Sequence, residues 1–360
     1  MINLNIVSES FSGGGAERVL ANVANNWQAK HGVVRVCSLS QQKGYLAQDI
    51  LCEVFDKSYV KNTKVNRVFN IWKVAFSLKA NSSVLICSYI LLILMSPICY
   101  FKKVKILFRP SIDLDYISQE IKRRFPGPLS WMIKAVLKLC LKKSYLIYQS
   151  PKIKKSFETN VRVDGRVMNN PVDADHFALP PFNRAVSSDN YEFYLIGRLV
   201  VEKGFDRFLT NWVHTEKDVV VKICGEGDQR RELQNIAQSR EINVNFMGFT
   251  QSDALKVVNN ILCVPSRIEG FPNIVLEGAL AGWPIIISKE VAACLHGSEL
   301  LKYCMVIDFD SAFDPNMLID FMKKHHFDDY IDQVLQIRSE HSVSDFIENI
   351  KKIICEIKIS

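Results

Sequence analysis

Short apolar runs alternate with amphipathic stretches from the beginning of the chain. An apolar run at residues 3–7 predicts a strand, glycines 13–15 predict a loop, and residues 16–30 carry apolar positions at helical spacing. We expect His31-Gly32 to end that helix, because glycine readily adopts the left-handed conformation that follows many helices. A second strand is predicted at residues 33–39. Strands that alternate with helices predict a mostly parallel sheet and an α/β fold.

A similar series follows a turn-rich stretch in the middle of the chain. Residues 169–183 are rich in Asn and Pro and lack periodicity, which predicts a linker between two domains. Strands are then predicted at residues 191–196, 219–224, 244–247, 261–265 and 284–287. Helices are predicted at residues 205–212, 228–240, 252–260 and 273–281. Residues 343–357 place six apolar side chains on one stripe and predict a closing helix.

The length and composition agree with two folded domains. A chain of 360 residues suggests two domains of ordinary size. We expect an N-terminal domain at 1–170, a C-terminal domain at 171–340 and a final helix at 341–360. Apolar residues make up 48% and charged residues 23%, which excludes a disordered chain and a polytopic membrane protein. The first residues lack a basic, apolar leader with a small-residue cleavage site, so we expect no signal peptide.

One mostly apolar segment, residues 84–101, approaches the length of a membrane span. Serines and a proline interrupt it, and lysines follow it. We therefore interpret it as a strand at 84–87 and a helix broken near Pro97, with another strand at 104–108. The alternatives are a true span and a contact in the plane of a membrane, with apolar side chains in lipid and lysines on head groups.

Positive charge is concentrated in one region of the chain. The net charge is +7, but residues 61–160 hold 19 basic and 4 acidic side chains, a balance of +15. The remaining residues carry −8. Such a region favours a partner that bears phosphate groups, such as a membrane, a nucleic acid or a charged small ligand, unless it is only a solvated basic face.

The ten cysteines form no C-x-x-C pair, and most lie in apolar runs. They are predicted to be buried, reduced thiols in a reducing compartment, which argues against a zinc site.

Two loops that directly follow predicted strands can meet an anionic ligand. Gly13, Gly14 and Gly15 allow close approach of a ligand to the backbone, and the next helix favours an anion at its N-terminus. This loop lacks the G-x-G-x-x-G pattern of dinucleotide sites, and a merely flexible loop stays possible. In the loop at 197–204, Arg198 and Lys203 can both turn towards a diphosphate. Ordinary turn charges are the alternative there.

The most specific pattern is Ser-Arg-Ile-Glu-Gly-Phe-Pro-Asn at 266–273, which follows the predicted buried strand at 261–265. Gly270 and Pro272 shape a tight turn, and Asn273 can cap the next helix. Glu277 lies about one turn inside that helix, where it can face the same cleft as Glu269. Carboxylates accept hydrogen bonds from vicinal hydroxyls, so one can hold a ribose and the other a sugar.

These motifs together resemble the family-4 retaining glycosyltransferases of GT-B fold, including bacterial O-antigen, capsule and exopolysaccharide enzymes. The resemblance rests on motifs in family order between residues 12 and 284. They are Gly-Gly-Ala-Glu-Arg at 14–18, Asn-Pro-Val-Asp at 170–173, Gly-Arg-Leu-x-x-Glu-Lys-Gly at 197–204, Gly-Glu-Gly at 225–227, Phe-Met-Gly-Phe at 246–249 and the two glutamates at 269 and 277.

The resemblance implies two Rossmann-like domains that face each other across a cleft, with the C-terminal helix returning to the N-terminal domain. The N-terminal domain would bind the acceptor and the C-terminal domain the nucleotide-sugar. Arg198 and Lys203 would bind the diphosphate and stabilise it as a leaving group, with Glu269 as a further catalytic residue. The donor would also contact a longer set of residues: Gly14, Gly15, Gly248, Phe249, Gly270, Phe271, Pro272, Asn273 and Glu277.

The reaction implied is retaining transfer of a hexose or N-acetylhexosamine to a hydroxyl, with no cofactor and no metal. UDP is favoured over GDP, and the acceptor would be a lipid-linked oligosaccharide. The enzyme would lie in the cytoplasm at the inner face of the membrane, held to anionic lipid by its basic N-terminal domain, and would bind no nucleic acid. The alternatives are a nucleotide-sugar 2-epimerase of the same fold and a non-enzymatic basic protein that binds a membrane or a nucleic acid.

Two places depart from the pattern of the family. The segment after the predicted strand at 104–108 reads Arg-Pro-Ser-Ile-Asp at 109–113 where relatives often have a histidine, so Arg109 is a candidate for the acceptor side or a donor phosphate. Residues 289–294 replace a common glycine pair, so contacts there are expected to differ.

Overall fold

The computed structural model describes residues 2–11, 14–27, 31–40, 44–47, 50–54, 64–163, 165–172, 191–213, 219–248, 260–324 and 330–359. The chain divides into two compact units. The N-terminal unit contains Met1–Val172 and His341–Ser360, and the C-terminal unit contains Asp173–Glu340. The chain therefore returns to the N-terminal unit at its end.

The described part of the N-terminal unit holds a seven-stranded sheet in which every strand pair is parallel, in the order β3-β2-β1-β4-β5-β6-β7. Its strands are β1 Ile2–Ser8, β2 Gly32–Ser38, β3 Cys52–Val54, β4 Ser83–Ile86, β5 Lys105–Phe108, β6 Tyr145–Tyr148 and β7 Gly165–Val167. Apolar clusters cover both faces of this sheet. That explains the short continuous apolar runs in the sequence, since strands of a parallel sheet are buried on both sides.

The helices of this unit are α1 Gly15–Asn25, α2 Lys64–Ser77, α3 Tyr89–Phe101, α4 Leu114–Arg124, α5 Pro128–Lys142, α6 Pro151–Val161 and α14 Val343–Ile359. Helix α14 buries the predicted stripe: Phe346, Ile347, Ile350, Ile353 and Ile354 are at most 5% exposed, and Ile357 is partly buried. These side chains share a cluster with α1 and β1. The prediction that the last helix returns to the N-terminal domain is confirmed.

The described part of the C-terminal unit holds a six-stranded parallel sheet in the order β10-β9-β8-β11-β12-β13. Its strands are β8 Tyr191–Ile196, β9 Val219–Cys224, β10 Val244–Gly248, β11 Asn260–Val264, β12 Ile285–Ser288 and β13 Cys304–Ile307. Its helices are α7 Phe205–Thr210, α8 Arg230–Ser239, α9 Asn273–Leu280, α10 Lys289–Cys294, α11 Glu299–Lys302, α12 Pro315–Lys324 and α13 Tyr330–Glu340. Two Rossmann-like sheets are thus confirmed.

Several local predictions differ from the structure. Helix α1 ends at Asn25, and Gly32 opens β2 with a φ of +117° instead of ending the helix. A Cβ atom on Gly32 would lie 2.3 Å from the Ile2 carbonyl oxygen, so close strand pairing is what requires glycine there. Helix α3 runs through Pro97 without a break.

Two predicted features fall partly outside the described residues. The predicted helix at 252–260 lies outside them except for Asn260, which opens β11. Most of the predicted linker lies outside them as well. Its described end, Val172, pairs with Ser342 and donates its backbone N–H to the His341 carbonyl at 2.9 Å. The two chain segments at the border of the N-terminal unit therefore run side by side.

Within the described residues, no helix is both long and apolar enough to cross a membrane. Helix α3, which contains most of the apolar segment considered above, has 13 residues. The ten cysteines are all free thiols, and seven of them are buried.

Candidate functional site

Three loops meet at the carboxyl edge of the C-terminal sheet, and two of them, after β8 and β11, carry predicted donor residues. They follow β8, β9 and β11, and β8 pairs with both of the other strands. The Gly197 N–H donates to the Cys224 carbonyl at 2.9 Å, and the Leu199 N–H donates to the Glu226 carbonyl at 2.9 Å. A Cβ atom on Gly225 would lie 1.8 Å from the Gly197 oxygen. Backbone hydrogen bonds and close backbone packing therefore hold the loops after β8 and β9 together.

The loop after β8 presents Lys203 to the loop after β11. Residues Val201–Lys203 form a short 3-10 turn that ends at Gly204, whose φ is +67°. A Cβ atom on Gly204 would lie 2.0 Å from the Pro265 carbonyl oxygen. The close approach and the left-handed backbone both require glycine, and this contact brings Lys203 against the second loop.

Lys203 and Glu269 form an ion pair in which Lys203 Nζ donates to Glu269 Oε1 at 2.5 Å. The Glu269 side chain is 11% exposed and the Lys203 side chain 24%. An ammonium group has three N–H donors, and the other two have no hydrogen-bond partner among the described residues. The pair can therefore hold a further anion without breaking.

Two more groups hold Glu269 in place. Ser266 Oγ donates to the same carboxylate oxygen at 2.8 Å, and Cys294 Sγ donates to the Glu269 carbonyl at 3.1 Å. Cys294 ends α10, the segment that replaces the glycine pair of the family. Residues 289–294 thus form a helix whose last residue contacts the Glu269 backbone.

Arg207 is a residue of this region that the sequence motifs did not indicate. It lies in α7 with its side chain 3% exposed and donates from Nε to the Pro265 carbonyl at 2.7 Å and from Nη2 to the Ser266 carbonyl at 2.9 Å. Its terminal nitrogens also contact Glu290 at 3.1 Å and Asp310 at 3.0 Å. Arg207 therefore holds the backbone that leads to Glu269. Its place among Phe205, Phe208 and Leu209 in a short apolar helix is the sequence signal that could have revealed it.

Two carboxyl groups near Arg207 have pKa values below their ordinary values. Burial alone would raise the pKa of the Glu290 carboxyl, but its hydrogen bonds and the positive charge of Arg207 outweigh burial and hold that pKa below its ordinary value. In the same way, Arg267 donates to both carboxylate oxygens of Asp206 at 2.6 and 2.7 Å and holds the pKa of Asp206 below its ordinary value. Both carboxylates stay charged at neutral pH.

Helix α9 begins after the Gly270-Phe271-Pro272 turn, and all three turn residues are buried. The residue that precedes its first turn is Pro272, which supplies no side-chain cap, and Asn273 is the first helical residue. The predicted capping role of Asn273 is therefore wrong. Glu277 lies on the same helix and is 6% exposed. A nearly buried carboxylate in the second turn of this helix needs hydrogen-bond partners, since burial of an unpaired charge is costly.

Arg198 differs from Lys203 in its surroundings. Its side chain is exposed, and its guanidinium makes no hydrogen bond or ion pair with the described residues. Gly248 ends β10, and its carbonyl accepts a hydrogen bond from the Gly225 N–H at 2.7 Å. Phe249, the other residue predicted near the base, lies outside the described residues.

Gly14 and Gly15 lie at the start of α1 in the N-terminal unit. Gly14 has an extended backbone, with a φ of −164°, and a Cβ atom added to it would meet no atom within 4 Å. Gly15 is exposed. The described part of the chain therefore leaves space beside Gly14. Gly13 lies outside the described residues.

Arg109 is not on the surface that the sequence suggested. It is fully buried, donates from Nη2 to the Met168 carbonyl at 2.8 Å and to Asn170 Oδ1 at 2.7 Å, and stacks 5.4 Å from the Phe346 ring. Burial lowers its pKa to about 10. Its contacts join the end of β5 to residues 168–170 and to α14. In this structure the side chain therefore makes internal contacts, whereas the acceptor or phosphate role predicted a residue that faces the substrate.

Across the described part of the chain, no group of three or more His, Cys, Asp or Glu side chains is placed to hold a metal ion.

Known proteins resemble part of the C-terminal unit in sequence and nearly the whole chain in structure. Residues 181–296 match the family model "Glycosyl transferases group 1". This segment contains Arg198, Lys203, Glu269 and Glu277. Over its whole length the chain is similar to HepE of Anabaena, solved in complex with UDP, with a TM-score of 0.73 and 15% identity over 99% of this chain and 100% of that one. The fold is GT-B.

Curated relatives align over a shorter stretch. An uncharacterized glycosyltransferase of Haemophilus influenzae is 33% identical over 114 residues, which is 30% of this chain and 32% of that protein. A Campylobacter jejuni enzyme is 31% identical over 101 residues, 27% of this chain and 28% of that protein. Its name is GalNAc-alpha-(1->4)-GalNAc-alpha-(1->3)-diNAcBac-PP-undecaprenol alpha-1,4-N-acetyl-D-galactosaminyltransferase. The chain thus aligns with about a third of the length of these relatives.

Proposed function

We propose that this GT-B protein transfers a hexose or N-acetylhexosamine from a nucleoside diphosphate sugar to a hydroxyl group. The observation that carries the proposal is the Lys203–Glu269 pair, in which Lys203 shares its loop with the exposed Arg198, within the segment that matches the glycosyl transferase group 1 model. A cation and a carboxylate at the carboxyl edge of a parallel sheet suit a ligand that carries both phosphate and hydroxyl groups.

In this proposal the two cations bind the donor diphosphate. Arg198 offers a guanidinium fork that makes no contact with the described residues, and Lys203 offers two N–H groups beyond the one that Glu269 accepts. Positive charge placed where negative charge develops stabilises the leaving nucleoside diphosphate. We propose that the reaction uses this charge and no metal ion.

The two glutamates would bind the sugars of the donor. Glu277, nearly buried in α9, would accept hydrogen bonds from the ribose hydroxyls. Glu269 and the backbone of Gly270–Asn273 would hold the transferred sugar, and Gly248-Phe249 would read the base through the backbone. Gly14 and Gly15 of the N-terminal unit would approach the donor closely, which the open space beside Gly14 permits.

We propose that transfer retains the configuration at the anomeric carbon. The bond from that carbon to the donor phosphate oxygen breaks, and its electron pair leaves with the nucleoside diphosphate. The acceptor oxygen forms the new bond on the same face, and its proton passes to the departing phosphate oxygen. None of the proposed site residues is placed as a covalent nucleophile in this scheme.

The substrates proposed are a UDP-sugar, with GDP as the second choice, and a lipid-linked oligosaccharide of bacterial surface polysaccharide synthesis. HepE binds UDP, and the Campylobacter relative is named for an undecaprenol-linked acceptor, which supports this choice. Such an acceptor would place the enzyme in the cytoplasm at the inner membrane face, with the basic residues of 61–160 on anionic head groups.

A donor screen tests the proposal. The purified protein is incubated with UDP- and GDP-sugars and a polyprenyl-diphosphate-linked oligosaccharide, and products are identified by mass. We expect one nucleoside diphosphate to be released together with an acceptor heavier by one sugar. Absence of release with every donor would overturn the transferase assignment. Conversion of UDP-GlcNAc to its 2-epimer with no acceptor product would assign the epimerase activity instead.

A further inference from the structure

The outward faces of α2, α3 and α5 in the N-terminal unit expose large apolar side chains. Phe101 is 86% exposed and Trp131 77%. Single exposed apolar residues are common, but a contiguous group of them marks an interaction surface. We call this group the aromatic face. Its members are Phe69, Trp72, Phe76, Tyr100, Phe101, Leu129, Trp131, Met132, Val136 and Leu139.

Helix α2 is apolar on two sides. Ile71, Val74 and Ala75 are fully buried against the core, whereas the exposed residues Phe69, Trp72 and Phe76 follow one another at helical spacing. A helix that covers a soluble domain normally turns polar side chains outwards. The exposed stripe of α2 therefore has a composition that suits a second apolar environment.

Helix α5 repeats this arrangement. Leu137, Cys140 and Leu141 are buried, while Leu129, Met132, Val136 and Leu139 form an exposed stripe at spacings of three and four residues. Trp131 lies beside this stripe. Helices α2 and α5, which both pack against α3, thus share the same outward apolar character.

Contacts at the helix ends join the three helices into one surface. Lys102 Nζ, just after α3, donates to the Phe76 carbonyl of α2 at 2.6 Å. Lys143 Nζ, just after α5, lies 4.1 Å from the centre of the Tyr100 ring of α3. The aromatic face is therefore continuous across α2, α3 and α5.

The charged side chains that these three helices carry have one sign. Helices α2, α3 and α5 contain no Asp or Glu, whereas exposed lysines lie on or directly after them. They are Lys73, Lys103, Lys138, Lys142 and Lys143. Amphipathic surfaces that combine aromatic and aliphatic side chains with lysines bind anionic lipid interfaces.

We propose that the aromatic face docks on an anionic lipid bilayer, with its apolar side chains at the level of the acyl chains and its lysines on the head groups. This inference deepens the proposed function, on which it rests for the lipid-linked acceptor, because it names the side chains that enter the lipid. A nucleic acid would leave the aliphatic side chains without a partner. A symmetric second copy would bring the same lysines against each other.

Vesicle co-sedimentation tests the proposal. At low salt we expect at least tenfold stronger binding to phosphatidylglycerol vesicles than to phosphatidylcholine vesicles. Trp131→Ser should weaken binding about tenfold or more because the lost apolar burial is large. Lys138→Gln should weaken it about fivefold. Leu335→Ser and Lys302→Gln, exposed positions of the C-terminal unit, are the matched controls. Equal binding by Trp131→Ser and Leu335→Ser would overturn the proposal.

Tryptophan fluorescence gives a second readout that keeps the apolar area nearly constant. Trp27, Trp212 and Trp283 are buried, whereas Trp72 and Trp131 belong to the aromatic face. Anionic vesicles should shift the emission to shorter wavelength, and Trp131→Phe and Trp72→Phe should each reduce the shift. Trp212→Phe should keep it. An unchanged spectrum of the unmodified protein on vesicles would overturn insertion.

Failure of docking and failure of the proposed function give different results. Trp131→Ser should bind UDP in calorimetry as the unmodified protein does, and Lys203→Ala should still bind vesicles. Binding of duplex DNA without binding of vesicles would assign the face to a nucleic acid instead. Dimerisation in sedimentation that Trp131→Ser abolishes would assign it to a second copy of the chain.

Discussion

Lys203 and Glu269, 66 residues apart in the sequence, meet at 2.5 Å because the strands before them, β8 and β11, are neighbours in the sheet. Ser266 contacts the same carboxylate oxygen. Glu269 is thus oriented and partly neutralised by groups of the protein itself. Under the proposed function, charges that the protein holds in position in this way would stabilise a developing charge without reorganisation.

Lys203→Ala should leave the fold intact and lower kcat about 10²- to 10³-fold, since a removed transition-state cation typically costs about 2.7–4 kcal/mol. Rates of nucleoside diphosphate release, with circular dichroism as the check on folding, measure this. Lys289→Ala is the matched control, because Lys289 forms an exposed ion pair with Asp308 in the same unit. A rate near that of the control would show that Lys203 does not act on the leaving group.

Glu277→Ala should weaken nucleotide binding more than it lowers turnover, because a lost hydrogen bond to a charged group costs about 1.5–3 kcal/mol. Calorimetric titration with UDP and GDP measures the change, and we expect a loss of at least about tenfold for the preferred nucleotide. Glu299→Ala, which removes a carboxylate paired with Lys302, serves as the control. Unchanged affinity for both nucleotides would refute the ribose role.

Arg207→Met should lower the free energy of unfolding by about 3–5 kcal/mol, because it breaks a buried, hydrogen-bonded charge network. The Pro265 and Ser266 carbonyls lose their donor, so the loop that carries Glu269 should also lose its position. Urea unfolding measures the first effect and kcat/KM the second. Arg230→Lys, at an exposed ion pair with Glu226, should change neither. Full activity of Arg207→Met in its folded state would remove the positioning role.

Gly14→Ala separates a ligand effect from a folding effect. Its backbone is extended and a Cβ atom meets nothing within 4 Å, so the free energy of unfolding should change by less than about 0.5 kcal/mol. If the donor approaches Gly14 as proposed, KM for the nucleotide-sugar should rise. Gly204→Ala, which would place a Cβ atom 2.0 Å from the Pro265 oxygen, should destabilise the fold instead. An unchanged KM for Gly14→Ala would contradict close approach there.

The stability of the protein should fall as the pH is lowered through the range in which His341 titrates. His341 is 1% exposed and donates from Nδ1 to the Asn170 carbonyl at 2.7 Å, and burial lowers its pKa below the ordinary 6.5. Between that lowered pKa and 6.5 the unfolded chain binds more protons at this histidine than the folded protein does. The contribution of neutral His341 to stability is therefore complete above pH 6.5 and is lost as the pH falls through the lowered pKa. Urea unfolding from pH 7.5 to 5 measures this slope.

The His341→Gln variant should have a shallower slope than the unmodified protein over that range. His296→Gln is the control, since His296 is exposed. Equal slopes for the two variants would show that His341 contributes nothing to the pH dependence.

Strand positions followed closely from the sequence in the C-terminal unit. The predicted strands at 191–196 and 219–224 agree residue for residue with β8 and β9. A buried parallel strand is apolar on both faces, so its run of apolar residues ends where its loop begins. The helix at 16–30 was predicted too long because apolar spacing continues to Trp27, although the helix ends at Asn25.

The candidate site was predictable only in part. The motifs placed Lys203 and Glu269 on loops after strands, but they gave no indication of Arg207 and offered Arg109, which is buried, as a candidate for substrate contact. Both are arginines that the fold buries, Arg207 among carbonyls and carboxylates and Arg109 against Met168, Asn170 and the Phe346 ring. Sequence patterns treat arginine as a surface residue, because its burial depends on partners that are distant along the chain.

The sequence by itself determined the alternation of strands and helices, the apolar stripe of the last helix and the loops that carry glycine, cation and carboxylate. Each of these depends on neighbouring residues and on the local periods of strand and helix. Tertiary structure alone decided the order of strands, and with it the meeting of Lys203 with Glu269, the burial of Arg109 and the joining of three helices into the aromatic face. Those contacts arise between distant residues, and local periodicity contains no information about which strands become neighbours.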